Sequence, residues 1–399
     1  MSKLETSLIH QGDHFNTTKS VVSPIYQTST YFADADLSSY IHAATAPKYP
    51  EFYHRHGNPT SSQVAAILAD LEKTEDALVL ATGMAAISTA ILAIVQHGDH
   101  IVAQQSHYSG TALFFKDFLS QYGIEITYIN QTDNDAFKQA IRPNTKLIYV
   151  ETPSNPNLDI TDLTFVAQLG KQNGILTMAD NTFASPINQT PCAFGIDIVV
   201  HSATKYLGGH SDLTAGVVCG SRAYIERVWQ RSLVLGSSLS PFDSWLLLRG
   251  LKTLALRVRQ INENALALAQ WLEKDGRIKK VTYAGLDTHP QKTLVRKQMR
   301  GFTGMLCIEM SGADEKEAYS RAQQLLGHLQ VFANAASLGG VESLIVHPAS
   351  MWGSHHSEEQ KKTAGISKGL LRISVGIEHI DDLISDVKQA LDKIYPLSL

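Results

Sequence analysis

Seven short apolar runs, at 77–81, 100–103, 124–129, 146–150, 175–179, 196–200 and 215–219, alternate with helical patterns through the middle of the chain. Runs of this length, bounded by turn residues, read as buried strands. Helices between them serve as crossovers, so the strands lie largely parallel in one sheet with helices on both faces. That pattern excludes helical bundles and all-β sandwiches. It also says where to look for function, because open parallel sheets bind ligands beyond the carboxyl ends of their strands. The unusual polar residues of this chain lie at those ends.

A length of 399 residues with 44% hydrophobic content is enough for more than one core. Residues 1–58 carry Pro24, Pro47 and Pro50 among many Ser, Thr, Tyr and His, without sustained periodicity. Such a segment reads as an arm that packs on something else. A large α/β domain is expected over 59–255, opening with an amphipathic helix at 62–73 that aligns Val64, Ile67, Leu68 and Leu71. A long helical stretch at 241–275 leads into a smaller α+β domain over 256–399. Strands at 278–283, 303–310 and 370–375 and a closing helix at 380–394 are expected there. The uncharged stretch 77–95 approaches membrane-spanning length, but Thr82-Gly83 interrupts it, so a buried strand feeding a buried helix is expected instead.

The formal charge is −4, from 34 Lys+Arg against 38 Asp+Glu, and no basic run with interleaved aromatics occurs, so neither a nucleic-acid nor a membrane partner is expected. Cys192, Cys219 and Cys307 are far apart and form no Cys-x-x-Cys pair, which speaks against zinc and disulfide frameworks and suits a reducing cytoplasm. The opening residues Met1 to Thr6 carry no apolar signal segment. Neither Gly-x-Gly-x-x-Gly nor the Walker A pattern is present, which disfavours dinucleotides and nucleoside triphosphates.

Chemistry concentrates around Lys205. It follows the apolar run 196–200, with Ser202 and Thr204 before it and Gly208-Gly209 after it. A lysine at the end of a buried strand sheds hydration, which lowers its amine pKa and makes it a nucleophile or base. The two hydroxyls can donate to phosphate oxygens, and so can the first N–H groups of a helix opening at Thr82-Gly83-Met84. Asp180 ends the strand at 175–179 and either caps a turn or pairs with a cationic ring nitrogen. Pro153 and Pro156 stiffen the loop carrying Asn155. Tyr108 is either a ring for stacking or a half-buried core aromatic. Arg372, a charge within an apolar strand, is expected to meet either a structural partner or a substrate carboxylate. Tyr53 and Arg55 offer a hydroxyl and a fork for phosphate, whereas His54-x-His56 lacks further ligands for a metal. His355-His356 adjoins a polar run and reads as solvated loop.

In order along the chain, Tyr53-x-Arg55, Gly57-Asn58-Pro59-Thr60, Thr82-Gly83-Met84, Tyr108, Asn155-Pro156, Asp180-Asn181-Thr182, Ser202-Ala203-Thr204-Lys205, Ser337-Leu338-Gly339-Gly340 and Arg372 resemble the motif set of the Cys/Met-metabolism (trans-sulfuration) enzymes that use pyridoxal 5′-phosphate (PLP). The resemblance implies the PLP-dependent transferase-like architecture (fold type I), with arm, large cofactor domain and small C-terminal domain. It also implies a homotetramer of two active dimers, in which Tyr53 and Arg55 reach a neighbouring subunit's cofactor phosphate. Lys205 would hold the PLP aldehyde, Asp180 its pyridine nitrogen and Tyr108 its ring face. Gly83, Met84, Ser202 and Thr204 would hold the phosphate, and Arg372 with Ser337 and Asn155 the substrate carboxylate. The implied substrate is a sulfur amino acid and the implied reaction is carbon–sulfur cleavage. Ala336 stands where the family's γ-type cystathionine enzymes carry Glu, and Gly110 where its methionine-cleaving members carry Cys. Leu338 stands where one β-lyase group carries Trp, and the Gly57-Asn58-Pro59-Thr60 and Ser337-Leu338-Gly339-Gly340 segments resemble the γ branch. By elimination the expectation is β-elimination of cystathionine to homocysteine, pyruvate and ammonia, slightly ahead of the γ-type reactions. The alternatives are γ-elimination or γ-replacement on cystathionine, methionine or an acylated homoserine, and a non-catalytic binding protein on the same fold.

Overall fold

The computed structural model describes residues 3–351 and 365–395, so His355 and His356 lie outside the described residues. The larger sheet contains β1 (Asp76–Leu80), β2 (His100–Gln104), β3 (Glu125–Ile129), β4 (Thr145–Glu151), β5 (Leu176–Asp180), β6 (Ile198–Ser202) and β7 (Gly216–Gly220). Their spatial order is β1-β7-β6-β5-β4-β2-β3. Every expected strand of this region is present. β2 to β6 pair in parallel, and β7 runs antiparallel to both β6 and β1. The reversal at β7 has a local cause. No crossover helix separates β6 from β7, and the chain returns through the non-helical connection 203–215 that carries Lys205. Thr204 closes that connection, its Oγ1 accepting the Ala215 N–H at 3.0 Å.

Both faces of the sheet are covered, which is why β4 is apolar on successive positions. Leu147 and Tyr149 pack with Ala86, Ile87 and Ala90 from the helix Gly83–Leu92. Ile148 and Val150 pack on the opposite face with Leu163 and Val166 from the helix Leu163–Asn173. The helix expected at 62–73 spans Pro59–Glu72, because the Asn58 side chain caps it by accepting the Thr60 N–H and Pro59 fits its first turn.

The stretch 241–275 is two helices, Pro241–Leu251 and Leu254–Glu273, rather than one. The break is held by Arg257, which donates to Gly250 O at 2.7 Å and to Tyr206 O at 2.8 Å. The guanidinium therefore takes a carbonyl released from the first helix and ties it to the turn after Lys205. The second sheet contains β8 (Ile278–Thr282), β9 (Met305–Met310), β10 (Ala333–Asn334), β11 (Leu344–Val346) and β12 (Leu370–Ser374), in the order β10-β11-β12-β9-β8. β10 and β11 are additions to the expected strands; at two and three residues they are too short for an alternating pattern. The closing helix Ile380–Ile394 buries Leu383, Val387, Ala390 and Leu391 against this sheet. Together these features give the expected α/β architecture, with a mostly parallel sheet and a separate smaller one. Among the described residues no helix is long and apolar enough to cross a membrane.

Candidate active site

The carboxyl ends of β4, β5 and β6 open on a cavity of about 360 Å³. Its wall is completed by the start of the helix Gly83–Leu92 and, from the second sheet, by Ser337 and Arg372. The chain thus gathers residues from 83 to 372 around one space. Of the twelve expected site residues, Gly83, Met84, Tyr108, Asn155, Asp180, Ser202, Thr204, Lys205, Ser337 and Arg372 all line it.

Lys205 is part-buried, and its Nζ donates to Ser337 Oγ at 2.8 Å. Burial first, and then the Arg372 charge, lowers its amine pKa to about 8. Arg372 lies on β12 and is 4% exposed. Its guanidinium donates to Asn155 Oδ1 at 3.0 Å and to the Ser337 carbonyl at 3.2 Å. Ser337 adopts φ 143°, a region rarely occupied by any residue except glycine, so its backbone is held in place at a cost.

Gly83 stands where nothing larger fits. A Cβ added there would lie 2.7 Å from Ser202 Cβ, so the helix end and the end of β6 approach within glycine distance. The Thr82 side chain caps this helix by accepting from Ala85 N. The N–H groups of Gly83 and Met84, the first two helical residues, have no intrahelical acceptor and face an anion-favouring helix end. The Thr204 hydroxyl is already engaged with Ala215, and its own donation to Ala215 O is long, at 3.3 Å. Tyr108 is 44% exposed, with its N–H fixed by Glu151 Oε2 at 2.8 Å.

Two carboxyl groups sit at the floor. Asp180 accepts from Thr182 N at 3.0 Å and from Tyr149 Oη at 3.5 Å. Burial raises its pKa, opposed by the Thr182 hydrogen bonds and by the charge of His201. Burial, and then the Asp180 charge, pushes Glu151 well up. Among the described residues the cations lining the cavity are Lys205 and Arg372, and their hydrogen bonds go to Ser337 and Asn155. The floor is therefore short of positive charge beside Asp180. A protonated pyridine nitrogen would supply that charge, a phosphate would meet the donors at Gly83 and Met84, and an aldehyde would meet the amine of Lys205. The residues present fit PLP.

Tyr53 and Arg55 are not brought to this cavity. Both are exposed, and Arg55 donates to Leu233 O at 2.8 Å with its guanidinium 5.6 Å from the Tyr53 ring centroid. Sequence reasoning missed Glu151, Thr182, Phe183 and Thr214, which also line the cavity. Glu151 directly follows the expected strand 146–150 and Thr182 belongs to the Asp180-Asn181-Thr182 stretch, and those positions were the available signal. Nothing in the sequence marks Phe183 or Thr214. His54 and His56 belong to no group of three or more metal-ligating side chains among the described residues.

The model of the Cys/Met metabolism PLP-dependent enzymes matches residues 5–392. The chain is 41% identical over 394 residues to a cystathionine beta-lyase of Coxiella burnetii, covering 98% of each. It is 41% identical over 397 residues to an L-methionine gamma-lyase of Porphyromonas gingivalis, again covering 98% of each. Among solved structures it resembles cystathionine gamma-lyase from Lactobacillus plantarum complexed with L-serine. That match has a TM-score of 0.91 and 38% identity over 98% of this chain and 99% of that one. The chain belongs to the family of PLP-dependent enzymes of Cys/Met metabolism.

Proposed function

We propose that this enzyme is a carbon–sulfur lyase that cleaves cystathionine by β-elimination, releasing homocysteine, pyruvate and ammonia. The single observation that carries a reading of amino-acid chemistry is the Lys205–Ser337–Arg372–Asn155 chain of contacts on one wall of a cavity whose floor is Asp180. Bound PLP would supply an electron sink for the bond electrons released at the substrate Cα, and Lys205 Nζ would hold its aldehyde. Arg372 and Asn155 receive the substrate carboxylate, the guanidinium through its fork and the amide through its own donor. With its pKa brought down to about 8, the Lys205 amine is poised to take the Cα proton and return it. Ser337 Oγ, accepting from Nζ at 2.8 Å, would hold the amine in place between transfers. Asp180 would hold the ring nitrogen, Tyr108 its ring face, and Gly83, Met84, Ser202 and Thr204 the phosphate.

β-Elimination is supported by the kinship with a cystathionine beta-lyase and by Ala336, which places no carboxylate in the cavity wall. A second reading, γ-elimination, is favoured by the apolar end of the cavity formed by Ala336, Leu338, Val346, Pro348 and Met351, which suits a methylthio group, and by the L-methionine gamma-lyase relative. Purified enzyme given cystathionine separates the two. Pyruvate with homocysteine is the expected outcome, whereas 2-oxobutyrate with cysteine would replace β- by γ-elimination. Residues 1–58 are read as an arm reaching a neighbouring subunit, so that Tyr53 and Arg55 complete that subunit's phosphate site within a homotetramer. The free thiols of Cys192, Cys219 and Cys307 suit a reducing, cytoplasmic setting.

A further inference from the structure

Glu151, the last residue of β4, is an acid that the chemistry above leaves without a role. It is 2% exposed and lines the cavity. Its main chain is pinned from β2, the N–H donating to Gln104 Oε1 at 3.0 Å and the carbonyl accepting from Gln104 Nε2 at 2.7 Å. Its side chain reaches forward, where Oε2 accepts the Tyr108 N–H at 2.8 Å. Among the described residues nothing hydrogen-bonds to the other oxygen, Oε1. An amide would serve Tyr108 equally well, and burying an acid is costly, so the second oxygen calls for a partner in the cavity.

Glu151 and Asp180 are paired residues on neighbouring parallel strands, and both line the cavity. Among the described residues no cation hydrogen-bonds to either, and two buried carboxyls so placed do not both ionise. The contacts decide which one keeps its proton. Asp180 accepts from Thr182 N and from Tyr149 Oη, whereas Glu151 accepts from a single N–H. Donors favour the ionised form, so the charge belongs on Asp180 and the proton on Glu151. Arg372 also faces Glu151 and favours its ionisation, but its guanidinium is committed to Asn155 and Ser337. Burial, and then the Asp180 charge, outweigh it and push Glu151 well up. With Oε2 accepting from Tyr108, the proton belongs on Oε1.

What Oε1 meets follows from the shape of the cofactor. In PLP the phosphate arm and the phenolic oxygen lie on opposite sides of the axis from the aldehyde carbon to the ring nitrogen. With the phosphate at Gly83, Met84 and Ser202 of β6, and the nitrogen at Asp180 of β5, the oxygen-bearing edge falls toward β4, the neighbour of β5 on its other side. The residue that ends β4 is Glu151. We propose that Glu151 is a cofactor-binding residue: it donates through Oε1 to the phenolic oxygen of PLP while Oε2 holds Tyr108, so that one uncharged acid sets both the ring edge and the ring cover. The inference rests on the placement of PLP at Lys205 and Asp180. An ionised Glu151 would instead repel that oxygen.

The visible band of bound PLP reports a proton shared between Lys205 Nζ and the phenolic oxygen, and a donor to that oxygen favours the proton's loss. Glu151→Leu should therefore raise the midpoint of the spectral titration by about one pH unit. Glu151→Gln, whose amide keeps one acceptor and one donor, should hold the wild-type midpoint. An unmoved midpoint in Glu151→Leu would leave Glu151 serving Tyr108 alone, and a lowered midpoint in Glu151→Gln would show that the wild-type carboxyl is ionised; either result overturns the proposal. Neutron diffraction on deuterium-exchanged crystals of the wild-type holoenzyme needs no variant to fold. A deuteron on Glu151 Oε1 directed at the phenolic oxygen, and none on Asp180, is the expected result. Glu151 without a deuteron, or with Oε1 turned from the ring, overturns the proposal even where Asp180 does face the ring nitrogen. A ring nitrogen away from Asp180 overturns the cofactor placement instead, so the two failures are distinct.

Discussion

At the scale of single residues, the site is governed by buried charge. Lys205 has its pKa lowered from 10.5 to about 8, so in the PLP-free chain the folded state binds this proton less well than the unfolded state does. Stability therefore rises with pH between about 8 and 10.5, because the unfolded chain holds more protons in that window. The cost of the buried cation at neutral pH is on the order of 3 kcal/mol. Lys205→Met should accordingly make the PLP-free protein more resistant to urea at pH 7, with the advantage fading as pH climbs through that window. An advantage independent of pH would contradict the burial argument. Arg372 makes a second case. Arg372→Leu removes the guanidinium that would bind the substrate carboxylate, a charge-assisted contact of about 3 kcal/mol, so kcat/KM should drop about a hundredfold. The same variant should keep its PLP absorbance, since Arg372 bonds to Asn155 and Ser337 rather than to Asp180. Loss of the colour along with activity would assign Arg372 to the cofactor instead.

At the scale of elements, the Lys205 turn is only as rigid as what clamps it. Arg257 on the helix Leu254–Glu273 spends its guanidinium on the carbonyls of Tyr206, Leu207 and Gly250, with no carboxylate among its hydrogen-bond partners. Arg257→Leu leaves three carbonyls without that donor, so a loss of about 2–4 kcal/mol in unfolding free energy is expected. Denaturant titration measures it, and a change below 1 kcal/mol would show that the clamp is dispensable. Such clamps are where sequence reading stops. The strands were legible because β2, β4 and β6 are apolar runs bounded by polar ends, and Lys205 and Asp180 announce themselves by following such runs. The break at Lys252-Thr253 was not legible, because apolar spacing continues across it and its cause is an arginine side chain reaching back. Nor was the Glu72–His201 contact, which joins residues 129 apart. The contact of Lys205 with Ser337 spans 132 residues and needs the second sheet in place.

At the scale of the whole molecule, the arm exposes what a lone chain would bury. Val21 is 97% exposed and Phe32 107%, with Leu37 and Ile41 also open to solvent. Apolar side chains spread in this way along a segment without its own core suit contact with a second copy of the chain. Sedimentation should report an assembly of four chains. The paired change Phe32→Asp with Ile41→Asp should yield smaller species that bind PLP poorly, because the account takes Tyr53 and Arg55 from a neighbour. A small species with full PLP affinity would show that the phosphate site is complete within one chain.

All of this depends on which atom of the chain holds the cofactor. Borohydride reduction of the PLP-loaded enzyme, followed by proteolysis and mass spectrometry, locates it directly. The account predicts a phosphopyridoxyl group on the peptide containing Lys205 and on no other lysine. A label elsewhere, or an unlabelled Lys205 in protein saturated with PLP, would contradict it.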